Sequence, residues 1–172
     1  MKTIKHIFIL FVSLLLASCG GTVDNISLGD DAPNFTLQDS DGNSYTLSDY
    51  KEKAPVVIYF YPKANTPGCT KQACGIRDDF SKFKDNGITI FGISVDSKED
   101  IKEFIDDYEL NFPLLSDSEK TTSKNYGVLN NIGLASRISF IIDKEGKISK
   151  IMKDFDIDKH SNEVLTFAKS LL

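Results

Sequence analysis

The chain has no tryptophan, two histidines and three cysteines in 172 residues. His6 and His160 are too few and too far apart for a histidine-rich metal site, so no metal or cofactor is expected. Without tryptophan, and with four residues between its closest cysteines, it lacks the Trp-Cys-x-x-Cys signature of a disulfide oxidoreductase. Basic residues do not predominate: 20 Lys plus Arg face 25 Asp plus Glu, a formal charge of −5. That argues against a nucleic-acid binder driven by phosphate neutralisation. No apolar run reaches the ~20 residues of a transmembrane helix. Internal repeats, low-complexity tracts and a second domain are also missing. What remains is 41% apolar, too much for a disordered chain, and long enough for one domain with a real core.

The N-terminus accounts for the odd cysteine. Lys2 and Lys5 make a basic start, and residues 7–17 are apolar except for Ser13. That is the length of a signal-peptide hydrophobic region. It ends in Leu16-Ala17-Ser18-Cys19, which resembles the bacterial lipobox, where the cysteine is lipidated and becomes the new N-terminus. Residues 1–18 are therefore expected to be a lipoprotein signal peptide, and residues 19–30 a polar tether. Lipid on Cys19 would hold residues 31–172 close to a bacterial membrane, in the cell envelope outside the cytoplasm. Two or more acyl chains suffice for stable anchoring, whereas one is marginal.

The rest alternates strand and helix. Residues 34–50 read as a hairpin around Asp41-Gly42-Asn43. Residues 55–61 and 88–95 are the continuous apolar runs of strands buried on both faces. Ala73, Ile76, Phe80 and Phe83 mark one amphipathic helix, and Ile101, Phe104, Ile105 and Tyr108 a second. Residues 136–142 and 148–152 read as two strands joined by a turn. Val164, Leu165, Ala168, Leu171 and Leu172 give the apolar face of a last helix. The order implies an α/β fold: a mixed central sheet flanked by helices, with an N-terminal β-hairpin.

Chemistry is concentrated in Tyr61-Pro62-Lys63-Ala64-Asn65-Thr66-Pro67-Gly68-Cys69-Thr70-Lys71-Gln72-Ala73-Cys74, between a buried strand and a helix. Ligand sites of open α/β sheets gather at the carboxyl ends of strands. Thr66 suits an N-cap and Pro67 the first helical position, which puts Cys69 in the first turn. Free N–H groups and the helix dipole favour a thiolate there. A thiol of ordinary acidity is about 3% ionised at pH 7, so full ionisation gains roughly thirtyfold, or about 2 kcal/mol. Most of any catalysis must therefore come from groups that bind the transition state. Cys74 lies five positions on, about 8.6 Å away between Cα atoms of an ideal helix. A disulfide needs ~7 Å or less, so if the two bond, the first turns must unwind. Two small buried hydrophobes, or a static disulfide in an exported protein, are the plainer alternatives.

Pro62-x-x-x-Thr66-x-x-Cys69 matches the active-site pattern of peroxiredoxins. The string Thr66-Pro67-Gly68-Cys69-Thr70, with Cys74 and then Arg77-Asp78, resembles the peroxiredoxin Q group, also called bacterioferritin comigratory protein. Residues 91–97, 112–117 and 137–143 look like that group too, so the likeness spans about residues 27–172. It implies a thioredoxin-like fold and a thiol-dependent peroxidase acting on hydrogen peroxide and organic hydroperoxides. By the same resemblance Cys69 would be the peroxidatic cysteine, and Cys74 the resolving one that closes an intramolecular disulfide. Thr66 would hydrogen-bond the thiolate and peroxide, Pro62 would shield the pocket, and Arg137 would hold both with its guanidinium. A monomer is expected, recycled by thioredoxin or by a thioredoxin-like reductant outside the cytoplasm. Arg77, Lys63 and Lys71 read as solvated or structural. Tyr126-Gly127-Val128-Leu129 departs from the group, which often has Trp at the fourth position, and this puts local pocket packing in question.

Overall fold

The structure, a computed structural model, describes residues 26–172. The expected signal peptide, Cys19 and most of the tether lie outside the described residues. Among the described residues no helix is long and apolar enough to cross a membrane.

The hairpin forms as read. Strands β1 (Thr36–Gln38) and β2 (Ser44–Thr46) pair antiparallel. Its turn is held by Asp39, whose carboxylate accepts the backbone N–H of Asp41 at 3.0 Å and of Asn43 at 2.9 Å. A 3-10 turn (Leu47–Tyr50) leads to β3 (Val56–Phe60), buried at every position, and then to helix α1 (Pro67–Asp85). Next come β4 (Thr89–Ser94) and α2 (Lys98–Tyr108). β5 (Leu114–Ser116) and the short α3 (Thr121–Asn125) follow. β6 (Ile138–Ile142), β7 (Ile148–Met152) and α4 (Ile157–Lys169) complete the chain.

The strands make one mixed sheet in the order β2-β1-β5-β4-β3-β6-β7. β3, β4 and β5 run parallel, joined by helical crossovers; the other neighbours are antiparallel. The pairing Gln38↔Ser116 is the joint that brings the hairpin into the sheet. Sequence periodicity does not reveal β5 or α3, because three and five residues are too few to show a period. The apolar face of α4 also ends earlier than expected. Ala168 is buried, whereas Leu172 lies beyond the helix and is exposed.

Strand alternation divides the core in two. Val57, Tyr59, Tyr61, Ile90, Leu114 and Ile141 pack with buried residues of α1, α2 and α4. Val56, Ile58, Phe60, Phe91, Phe140 and Ile142 pack on the other side with Phe35, Leu47 and Tyr126. At Gly92 the sheet needs glycine for space. A Cβ there would lie 2.4 Å from Leu114 Cδ2 and 2.7 Å from the Tyr59 ring.

Candidate active site

The loop from β3 to α1 is clamped to the end of β4. The buried carboxylate of Asp96 accepts the Ala64 N–H at 2.8 Å and pairs with Lys63 Nζ at 3.2 Å. Lys63 is thus a half-exposed partner of a buried acid and not merely solvated. Thr66 takes the extended N-cap conformation, and Pro67 opens the helix. The Thr66 hydroxyl, however, donates to the Lys63 carbonyl at 2.9 Å. It caps no helical N–H, and the expected bond from its hydroxyl to the Cys69 sulfur is replaced by this one. The oxygen retains its lone pairs for an incoming donor. Pro62 is half-buried in the same loop.

Cys69 is the third residue of α1 and is 1% exposed. Cys74 is half-buried two residues short of Ile76, on the same unbroken helix, and both thiols are free. This is the wound arrangement expected while the pair is reduced. Arg137 comes to Cys69 through strand register. β6 runs antiparallel to β3 with Ile138 opposite Phe60, so Arg137 stands where β3 gives way to the loop. Its Nη2 donates to Cys69 Sγ at 3.2 Å. Gly68 lies under the guanidinium, where a Cβ would sit 3.1 Å from Nη2.

Three further residues complete the cluster, and none was singled out from sequence for this role. The Arg137 Nη1 donates to Gln72 Oε1. Gln72 Nε2 lies 3.2 Å from His160 Nδ1, and Ser139 Oγ lies 2.8 Å from His160 Nε2. All three side chains are buried, and Phe155 stacks on the imidazole at 4.4 Å between ring centres. Burial, and secondarily the Arg137 charge, pushes the His160 pKa down to about 4. His160 is the fourth residue of α4. Signals existed for each. Gln72 interrupts the apolar stripe one turn after Cys69. His160 precedes the buried Val164 and Ala168 at spacings of four, and Ser139 alternates with Arg137 on one strand face.

The remaining charges have other duties. Arg77 Nη1 donates to the Tyr108 carbonyl at 2.7 Å, tying α1 to the end of α2, and Nη2 pairs with Asp78. Lys71 makes an exposed pair with Asp158 at 2.7 Å. Tyr126 and Val128 belong to the core on the opposite side of the sheet from Cys69, so the departure in that tetrapeptide bears on that core. Among the described residues no group of three or more His, Cys, Asp or Glu side chains is placed to hold a metal ion.

This arrangement suits a sulfur nucleophile. A permanent cation donates to a buried sulfur at a helix start, and a second thiol stands nearby in sequence.

Comparison with known proteins agrees in sequence and in structure. The model of the AhpC/TSA family matches residues 28–151. Peroxiredoxin Q of rice (Oryza sativa subsp. japonica) is 44% identical over 149 residues, covering 85% of this chain and 68% of its own. Peroxiredoxin Bcp of Escherichia coli K12 is 40% identical over 151 residues, covering 84% and 96%. The crystal structure of peroxidoxin BcpB from Mycobacterium tuberculosis superposes with a TM-score of 0.79 at 32% identity, covering 86% of this chain and 99% of its own.

Proposed function

This chain belongs to the AhpC/TSA family, among the peroxiredoxins of the Q and Bcp group with their thioredoxin-like fold, and on that premise we propose how its thiol-dependent peroxidase cycle runs. The Cys69 thiolate attacks one oxygen of a hydroperoxide. An S–O bond forms, the O–O bond breaks, and the other oxygen leaves as water or an alcohol after taking a proton. The sulfur is oxidised to a sulfenic acid and the peroxide is reduced. The Cys74 thiol then attacks that sulfur and expels water, leaving a Cys69–Cys74 disulfide. A dithiol reductant, thioredoxin or an extracytoplasmic protein like it, returns both thiols by exchange.

The observation that carries this reading is Arg137 Nη2 on Cys69 Sγ at 3.2 Å. The guanidinium holds the negative sulfur before attack and has further N–H groups for the oxygen that gains charge as the O–O bond breaks. Thr66 contributes lone pairs of a hydroxyl whose proton is already committed to Lys63 O, so it accepts the peroxide O–H. Pro62 offers the pocket no N–H and limits water there. Both hydrogen peroxide and organic hydroperoxides fit, since the substituent need only depart with its oxygen. Closing the disulfide requires the first turns of α1 to unwind, as an ideal helix separates positions 69 and 74 by about 8.6 Å.

The order of basic start, apolar run and small residues before Cys19 supports a lipid-anchored enzyme at a bacterial membrane outside the cytoplasm, and with Cys69 and Cys74 on one helix the cycle can run in a monomer. Cys19→Ser should release the protein from the membrane fraction.

The cycle is tested with one equivalent of hydrogen peroxide and disulfide mapping. Wild type should yield a Cys69–Cys74 bond. Cys69→Ser should consume no peroxide. Cys74→Ser should be oxidised once at Cys69 and form no intramolecular disulfide. Two untouched thiols in the treated wild type would end the proposal.

A further inference from the structure

The Arg137 guanidinium has only donors. The group facing its Nη1 must accept, and that group is Gln72 Oε1. With its oxygen so placed, the Gln72 amide turns its NH2 to the His160 ring, 3.2 Å from Nδ1 and 3.4 Å from Nε2. The ring must then offer a lone pair to Gln72. Nε2 already meets Ser139 Oγ at 2.8 Å, so the lone pair belongs to Nδ1 and the proton to Nε2. The opposite tautomer would aim Nδ1–H at the NH2 group, donor against donor. The cationic ring would do the same, and burial disfavours it as well. Phe155, stacked at 4.4 Å and 28°, keeps the imidazole in this plane. Ser139 lies in β6, two residues after Arg137, which immediately precedes that strand, so the chain of contacts starts and ends within one short stretch of backbone.

We infer that His160 is a positioning residue for the peroxidase: by accepting from Gln72 it holds the amide with its oxygen toward Arg137, and so holds the guanidinium on Cys69. The inference rests on the peroxidase reading above. Without the Nδ1 lone pair the amide loses one of the two partners that fix its orientation, and its buried NH2 is left unpaired. A flipped amide would turn donors on Arg137 and push the guanidinium from the sulfur.

The test uses the full-length protein carrying Cys74→Ser, so that only the first oxidation is timed, with hydrogen peroxide as substrate. His160→Leu should lower that second-order rate constant roughly tenfold, as modest misplacement of a reacting group does. His160→Asn, whose side-chain oxygen can stand in for Nδ1, should recover it to within about twofold. Gln72→Met should be as slow as His160→Leu, and the double variant no slower than either. In wild type, nitrogen-15 imidazole spectra at pH 7 should place the His160 proton on Nε2.

Equal losses in Leu and Asn variants, no loss in either, additive losses in the double variant, or a proton on Nδ1 would each overturn the inference. Should His160→Leu not fold, Gln72→Met, His160→Asn and the spectrum decide. A wild type that peroxide does not oxidise would instead defeat the peroxidase reading. Positioning would then still be read from iodoacetamide, whose reaction with Cys69 should slow in His160→Leu and recover in His160→Asn.

Discussion

The two sides of the central sheet do different work. On the side facing the hairpin, Phe91 sits among Phe35, Tyr45 and Tyr50 in edge-on contacts at 5.3–6.3 Å. Phe60, Phe140 and Tyr126 form a second aromatic set beside it. On the helical side the same strands carry a second apolar core, but Cys69, Gln72, Ser139 and His160 are set into it. One side is chiefly a source of stability. The other accepts these four polar side chains, tolerable because each of them meets a partner. The contrast teaches where rigidity comes from: the site is precise because the strands beneath it are fixed from behind.

The largest effect should come from breaking the side without chemistry. Phe91→Ala removes a fully buried ring and should cost about 3–5 kcal/mol in denaturant unfolding. The molecules that remain folded should keep their rate constant for the first oxidation, measured in single turnover. A lost rate constant at unchanged stability would erase the distinction between the two sides.

A somewhat smaller effect should appear on the polar side as pH falls. His160 takes up a proton near pH 6.5 in the unfolded chain but only at about 4 in the folded one. Above pH 6.5 it is neutral in both states and contributes nothing. Between those values the unfolded chain binds more protons, so stability drops as pH drops. The total is about 3 kcal/mol by pH 4. Carboxylates such as Asp39 and Asp79, held below their ordinary range partly by hydrogen bonds, add losses at lower pH. The His160 share is isolated by subtracting the unfolding profile of His160→Asn. Parallel profiles from pH 7 to 4 would show that the ring is not kept neutral by its surroundings.

The same contrast explains what could be read in advance. Continuous apolar runs and helical spacings placed β3, β4, α1, α2 and α4, because burial on a regular element leaves a period in the sequence. Cys69, Cys74 and the loop before them were legible for a similar reason: they are adjacent in the chain, on an element whose start is marked by Thr66 and Pro67. Arg137 came from the family resemblance, and its arrival at the sulfur depends on β3–β6 register, which one sequence does not display. Gln72, Ser139 and His160 lie on three different elements and meet only after the sheet and two helices have packed. A single buried polar residue in an apolar stripe says that it has a partner, not which one. Thr66 shows the converse limit. Its position was evident, but its hydroxyl follows the local carbonyl of Lys63, a choice set by loop geometry.

The smallest and cleanest separation of stability from reactivity lies at Gly68. It is the second residue of α1, where alanine is the better helix former by up to ~1 kcal/mol. Gly68→Ala should therefore leave stability unchanged or slightly raised. The new methyl would stand 3.1 Å from Arg137 Nη2, closer than ordinary contact, and 3.7 Å from Ile157 Cδ1. Something must move by a few tenths of an ångström, and the guanidinium is the freer of the two sides, since Gly68 is fixed in a helix. Arg137 would back away from the sulfur it donates to, so the first oxidation should slow by roughly three- to tenfold. Thermal unfolding and single-turnover oxidation of this one variant should thus move in opposite directions or only the second should move. A stability loss with an unchanged rate would mean that the helix start yields instead, and that Arg137 is held more firmly than Gly68 is.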